Sequence, residues 1–242
     1  MIELLWNAPV GEKKMSAVFS AFNLHAGQTA IDFGCGSGEV LLRLHERFSI
    51  AGTGFDISPT LIEEANRRAA ARGIGPSQVR FEGADVRTLE PHTFDVAICL
   101  GATHAFTLGS EAYPRALQEM MRWVNPGGQL LVGEAYMKRP ATPEYRSLIG
   151  EFPPDEQTHA ANVSVGQKMG LIPLGAWTSS HEEWDEFEWA YQRVLERKAC
   201  QETTSSVLQE RLTQRRLWMD AYLRWGRETL GYGMYLFGVP KS

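Results

Sequence analysis

Residues 30–40 read AIDFGCGSGEV, and this segment restricts the fold more than any other part of the chain. A short apolar run, Thr29–Phe33, gives way to Gly34, Gly36 and Gly38. After them Val40, Leu41, Leu44 and Phe48 share one face of a helix over Glu39–Phe48. A strand that passes into a helix through such a loop exposes its backbone. Missing Cβ atoms let a ligand approach, and the helix start offers unpaired N–H groups. A dinucleotide site would need G-x-G-x-x-G, with its third glycine at position 39. Glu39 stands there instead, the spacing is G-x-G-x-G, and Asp32 precedes Gly34 by two residues.

The same strand–helix alternation runs through the first half. Further strands are predicted at Ala51–Phe55, Gln78–Phe81, Phe94–Leu100 and Gln129–Glu134. A first helix is predicted over 12–23 and another from Pro59 to Arg72, with Ser58 as its N-cap and Gly73 beyond its end. Glu111–Val124 is predicted as a helix stopped by the turn Asn125-Pro126-Gly127-Gly128. Such alternation specifies an α/β fold with a doubly wound, Rossmann-like sheet. The second half differs: prolines punctuate 137–170, a strand is predicted at Ile172–Thr178, helices at 182–199 and 203–230, and a last strand at Tyr232–Val239. With no Ser/Gly-rich linker, residues 1–242 read as one domain, with a core at 28–136, a helical elaboration at about 137–230 and a final strand at 232–239.

Composition narrows the partners. The formal charge is -5 and the only basic clusters are pairs such as Arg67-Arg68 and Arg215-Arg216, which read as solvated helix faces, so no nucleic-acid partner is expected. No stretch reaches the roughly 18 apolar residues of a membrane helix. The start of the chain, with Glu3, lacks an apolar region followed by a small-residue cleavage site. Cys35, Cys99 and Cys200 offer no CxxC spacing, and His25, His45, His92, His159 and His181 show no ligand spacing. Neither disulfide nor metal is therefore expected, and a reducing cytoplasm is the inferred location.

The loop, Asp32, Asp56 in TGFDIS, Asp85 in FEGADVRTL, Gly101 in CLGATHAF and the stretch NPGGQLLVGE follow one another at intervals that resemble the class I S-adenosylmethionine-dependent methyltransferases. The resemblance covers about residues 28–136. It implies a seven-stranded sheet of order 3-2-1-4-5-7-6 whose last strand inserts antiparallel, and S-adenosyl-L-methionine as cofactor. It also implies a cofactor set of Asp32, Gly34, Cys35, Gly36, Gly38, Asp56, Ile57, Asp85, Val86 and Gly101. In that set Asp32 meets the ammonium, Asp56 the ribose hydroxyls and Asp85 the adenine amino group, with the Val86 N–H on the ring and the Gly101 backbone close to the ligand.

Acceptor-facing groups should follow strands four and five, which nominates Thr103, His104 and Phe106, and then Tyr136. Methyl transfer from a sulfonium is an in-line displacement, so the protein mainly aligns the reactants. A base is needed only for a protonated acceptor. His104 is the candidate base, since histidine titrates near neutrality, or else it lines the pocket; Tyr136 shapes the pocket or transfers protons. The family's N-P-P-Y signature is absent, since the stretch reads CLGATH, which disfavours nucleobase or glutamine methylation. HEEWDEFEW at 181–189 holds five acids among aromatics: either a wall for a cationic acceptor or, more simply, a helix start whose acids suit its dipole. Trp6 is a candidate lid. The expected reaction is methylation of a small molecule. The alternatives are a methyltransferase acting on RNA or protein, and a non-catalytic adenosylmethionine-binding module. Oligomeric state is not encoded.

Overall fold

The computed structural model describes residues 4–150, 153–201 and 205–241; Glu3 and the first two positions of the helix expected at 203–230 lie outside them. The first half runs α1 (Glu12–Ser20), β1 (Thr29–Phe33), α2 (Glu39–Phe48), β2 (Ala51–Asp56), α3 (Pro59–Ala71), β3 (Val79–Gly83), β4 (Phe94–Leu100), α4 (Ala112–Met121) and β5 (Val124–Met137). The second half runs α5 (Pro143–Ile149), α6 (His159–Lys168), β6 (Ile172–Thr178), α7 (His181–Gln201), α8 (Ser206–Ala221), α9 (Arg227–Thr229) and β7 (Leu230–Gly238).

All seven strands join one sheet in the order β3-β2-β1-β4-β5-β7-β6. β1 to β5 pair in parallel, while β7 runs antiparallel to both β5 and β6. The central strands are apolar at successive positions because helices cover both faces. Val96, Ile98, Leu131, Met234 and Leu236 pack with α1, α2, α7 and α8 through Val18, Leu41, Trp184 and Met219. Their alternates Ala97, Cys99, Leu130, Val132, Tyr235 and Phe237 pack with α4 through Leu117 and Met120. Strands of the second half thus complete the sheet begun by the first.

Two local expectations are corrected. Asn125-Pro126-Gly127-Gly128 is not a free turn closing a helix; α4 ends at Met121, and these residues bulge within β5. Their backbone finds partners in the end of the sheet, with the Gly127 N–H donating to the Val239 carbonyl at 2.9 Å and the Val239 N–H to the Gly128 carbonyl at 2.9 Å. The helix expected to reach 230 breaks at a π turn over Tyr222–Gly226. There a Cβ on Gly226 would stand 2.7 Å from the buried Tyr145 hydroxyl, so the helix accommodates that ring.

Candidate cofactor and acceptor site

The strand order reverses between β1 and β4, and the carboxyl ends of β1, β2, β4 and β5 open at one edge there, the usual location of ligands in open α/β sheets. The loop from β1 to α2 holds Gly34, Gly36 and Gly38 at φ of +73°, +54° and +78°. A Cβ on Gly34 would overlap Ala102 of the loop after β4, and one on Gly38 would overlap the Phe81 ring. A Cβ on Gly36 would meet no protein atom within 4 Å. The outer glycines seat the loop against the fold, and the middle one faces open space.

Asp56, at the end of β2, grips this loop: one carboxylate oxygen accepts from the Gly36 N–H at 2.9 Å and the other from the Ser58 N–H at 2.9 Å. Asp32 is 3 % exposed and no donor among the described residues reaches its side chain. Burial first, then the nearby Asp56 charge, pushes its carboxyl up to about 8. Burial, with the Asp32 and Asp56 charges added, likewise drives the Cys35 thiol far up, which makes it a packing group of the loop and not a nucleophile. Ile57 leaves 74 % of its surface exposed beside Asp56, an apolar face that a flat ring could cover.

Asp85 is engaged already. It accepts from the Arg87 backbone N–H at 2.9 Å and from the Arg87 guanidinium at 2.6 Å, and that side-chain bond holds its carboxyl down at about 2. Val86 is buried behind it and opens a single 3₁₀ turn. Gly101 has a φ of +71°, and the Asn7 carbonyl lies 3.5 Å from where its Cβ would be.

Asn7 belongs to an N-terminal strap. Its side chain accepts from the Tyr191 hydroxyl of α7; the Gly11 N–H donates to Glu183 at 2.8 Å, Lys14 pairs with the same carboxylate, and Arg68 donates to the Leu5 carbonyl at 3.3 Å. The Trp6 indole donates to the Val10 carbonyl at 2.6 Å and lies under the Arg43 guanidinium. Of this strap, the residue that reaches the Gly101 edge is Asn7, the neighbour of Trp6.

On the acceptor side the expected residues separate. His104 is exposed on the turn Thr103–Ala105. Phe106 meets the Phe33 ring edge-on at 5.3 Å. Tyr136, expected just past strand five, lies inside β5 opposite Gly231, packed beside His159 on the α6 side of the sheet. Sequence reasoning missed two polar groups here. Glu134 is 5 % exposed, takes bonds from the Thr103 hydroxyl and the Ala135 N–H, and is pushed by burial up to about 7. An acid at the end of an apolar strand was its visible signal. Tyr232 is buried, and its hydroxyl stands 3.8 Å from a Cβ position on Gly101. It reaches there only because β7 pairs with β5, which local sequence does not reveal. Four of the five acids of HEEWDEFEW are bound within the protein: Glu183 to Lys14, Asp185 to Arg227 and Tyr222, Glu186 to Arg193, Glu188 to Arg215, Trp184 and Trp218. That favours the simpler reading of this stretch over a cationic pocket.

A protein-family model described as a methyltransferase domain matches residues 30–128, which span the loop, both strand-end acids and Gly101. A solved S-adenosylmethionine-dependent methyltransferase from Thiobacillus denitrificans, in complex with S-adenosyl-L-homocysteine, superposes with a TM-score of 0.86 at 25% identity, covering 97% of this chain and 94% of that one. Residues 30–128 therefore carry a methyltransferase domain, and the chain has the fold of the S-adenosylmethionine-dependent methyltransferases. It is also 26% identical over 230 residues to the uncharacterized protein YjhP of Escherichia coli K12, covering 94% of this chain and 91% of that protein. Against the 2-phytyl-1,4-naphtoquinone methyltransferase of Nostoc punctiforme it is 33% identical over 141 residues, 56% of this chain and 57% of that enzyme's length. The matched fold is therefore the one whose cofactor is adenosylmethionine. Among the described residues no helix is long and apolar enough to cross a membrane, and no cluster of three metal-ligating side chains occurs.

Proposed function

We propose that this methyltransferase acts as one domain on a small-molecule acceptor in the cytoplasm, holding adenosylmethionine on the loop Gly34–Gly38. One observation supports the cofactor assignment most: Gly34 and Gly38 are filled by neighbouring side chains while Gly36 is open, next to Asp56 and an Asp32 that has no donor among the described residues. Asp32 would take the ammonium, Asp56 the ribose diol, Ile57 the adenine face and the Val86 N–H the ring edge. Asp85 would act on the ring beside its Arg87 partner, and Cys35 and Gly101 would line the path. When bound, the cofactor supplies an activated methyl group on a cationic sulfur. The protein's part is then alignment and exclusion of water.

The acceptor's size class draws support from the strap of Asn7 over the Gly101 edge, from the net charge of -5 and from the quinone-type substrate named for the Nostoc relative. His104, exposed on the loop after β4, is the candidate to meet the acceptor, with Tyr136 a packing group beside His159. The test is incubation with methyl-labelled adenosylmethionine and a fractionated cell extract. Label should enter the small-molecule fraction. Label in RNA or protein would replace this acceptor class, and binding without any transfer would favour a non-catalytic module.

A further inference from the structure

The Tyr232 hydroxyl is buried and has no hydrogen-bond partner among the described residues. A structure keeps an orphaned polar group inside when something absent from the protein completes it. Its surroundings say what. The ring crosses β5 where Gly133 has no side chain to block it, and any Cβ there would overlap the hydroxyl. The oxygen then stands 3.8 Å from a Cβ position on Gly101, under the strap that carries Asn7. It faces the same side of the sheet as Asp32, since Tyr232 and Ala30, two residues before Asp32 on β1, pack in one cluster.

The charge balance points to a single chemistry. The groups whose fields reach Tyr232 include Glu134 and Asp32, and the charge acting on Asp32 is Asp56, all of them acids. An amino-acid zwitterion with its ammonium on Asp32 carries a carboxylate one carbon away, set among these acids. It needs a neutral donor, and burial keeps the Tyr232 phenol protonated.

We propose that the Tyr232 hydroxyl donates to the carboxylate of the cofactor's amino-acid end, making Tyr232 a specificity residue that reads the methionine half of the ligand. This rests on the adenosylmethionine assignment above. The experiment is calorimetric titration of the full chain and its Tyr232→Phe variant with S-adenosylhomocysteine and with 5′-methylthioadenosine, which lacks the amino-acid end. The variant should bind adenosylhomocysteine ten- to a hundredfold more weakly, as expected for one lost charge-assisted bond of roughly 1.5–3 kcal/mol, and methylthioadenosine within about twofold of the parent. Its ligand-free form should melt no lower than the parent. Equal losses for both ligands, no loss for either, or a lower melting temperature, which would mean the hydroxyl is already satisfied within the protein, each overturn the role of Tyr232. A parent that binds neither ligand overturns the cofactor assignment itself.

Discussion

The loops after β1 and after β4 face each other across the point where the strand order reverses, yet they are built in opposite ways. The first is fixed by its own backbone: three positive φ values, two glycines sealed by Ala102 and Phe81, and an Asp56 carboxylate on the Gly36 N–H. The second depends on distant parts of the chain, with Thr103 anchored by Glu134 of β5, Gly101 covered by Asn7, and Tyr232 arriving from β7. The first has the features of a site for an invariable ligand. The second has those of a site that can change its acceptor by changing what surrounds it.

The sharpest way to break this contrast is within the first loop. Gly38→Val forces a branched side chain into the Phe81 ring at a left-handed backbone, and unfolding in urea should show a loss of about 4 kcal/mol or no folded protein. Gly36→Ala meets open space, so the loss should be only about 1–2 kcal/mol from the backbone, while adenosylhomocysteine binding disappears. A Gly36→Ala protein with parental affinity would show that the open space is not the ligand's. Next in size is Asp56→Ala. Charge-assisted bonds to a ribose diol are worth roughly 1.5–3 kcal/mol each, so affinity for adenosylhomocysteine should fall about a hundredfold. Titration giving an unchanged constant would leave Asp56 as a loop anchor alone.

These two loops also explain what was legible in advance. The strand order and the antiparallel β7 came through the family resemblance, carried by Asp32, the glycines, Asp56, Asp85 and Gly101, because that chemistry is local: a turn, a strand end and a short side chain decide it. The acceptor side was read less well for a physical reason. Tyr136 shares a face of β5 with Val132 and Glu134, but its environment depends on His159 and on Gly231 across the sheet, and no short window contains those partners. The Asn-Pro-Gly-Gly segment misled for the same reason, since its turn chemistry is real while its hydrogen bonds run to the end of β7. Tyr232 sits in an alternating strand and looks like any core tyrosine until β7 is paired.

A smaller effect separates the loops by pH. Asp32, at about 8, and Glu134, at about 7, lie above their ordinary carboxyl values of 3.8 and 4.5 because both are buried. The folded, ligand-free protein therefore binds more protons than the unfolded chain in that interval. Stability is full below about pH 4 on this account and declines as pH rises toward 8. Urea titrations should show stability falling steadily between pH 5 and 8, and Asp32→Asn should remove more than half of the decline; a stability that climbs over this range would contradict the buried-acid picture. Adenosylhomocysteine reverses the sign for Asp32, since its ammonium favours the carboxylate. Affinity should rise by roughly tenfold from pH 6 to 7.5, with proton release seen in calorimetry in two buffers.

The weakest effect belongs to His104, and its weakness carries the comparison. The side chain is exposed on the turn after β4 and shares no hydrogen bond or ion pair with the described residues, so nothing in the fold depends on it. His104→Ala should leave the melting temperature within the roughly 0.5 kcal/mol scatter of surface substitutions and adenosylhomocysteine affinity within about twofold. A residue that is silent in both measurements yet lowers methyl transfer in the labelled-extract assay acts on the acceptor. If the substitution instead weakens adenosylhomocysteine tenfold, the loop after β4 belongs to the cofactor as well, and the division between a fixed loop and an adaptable one fails.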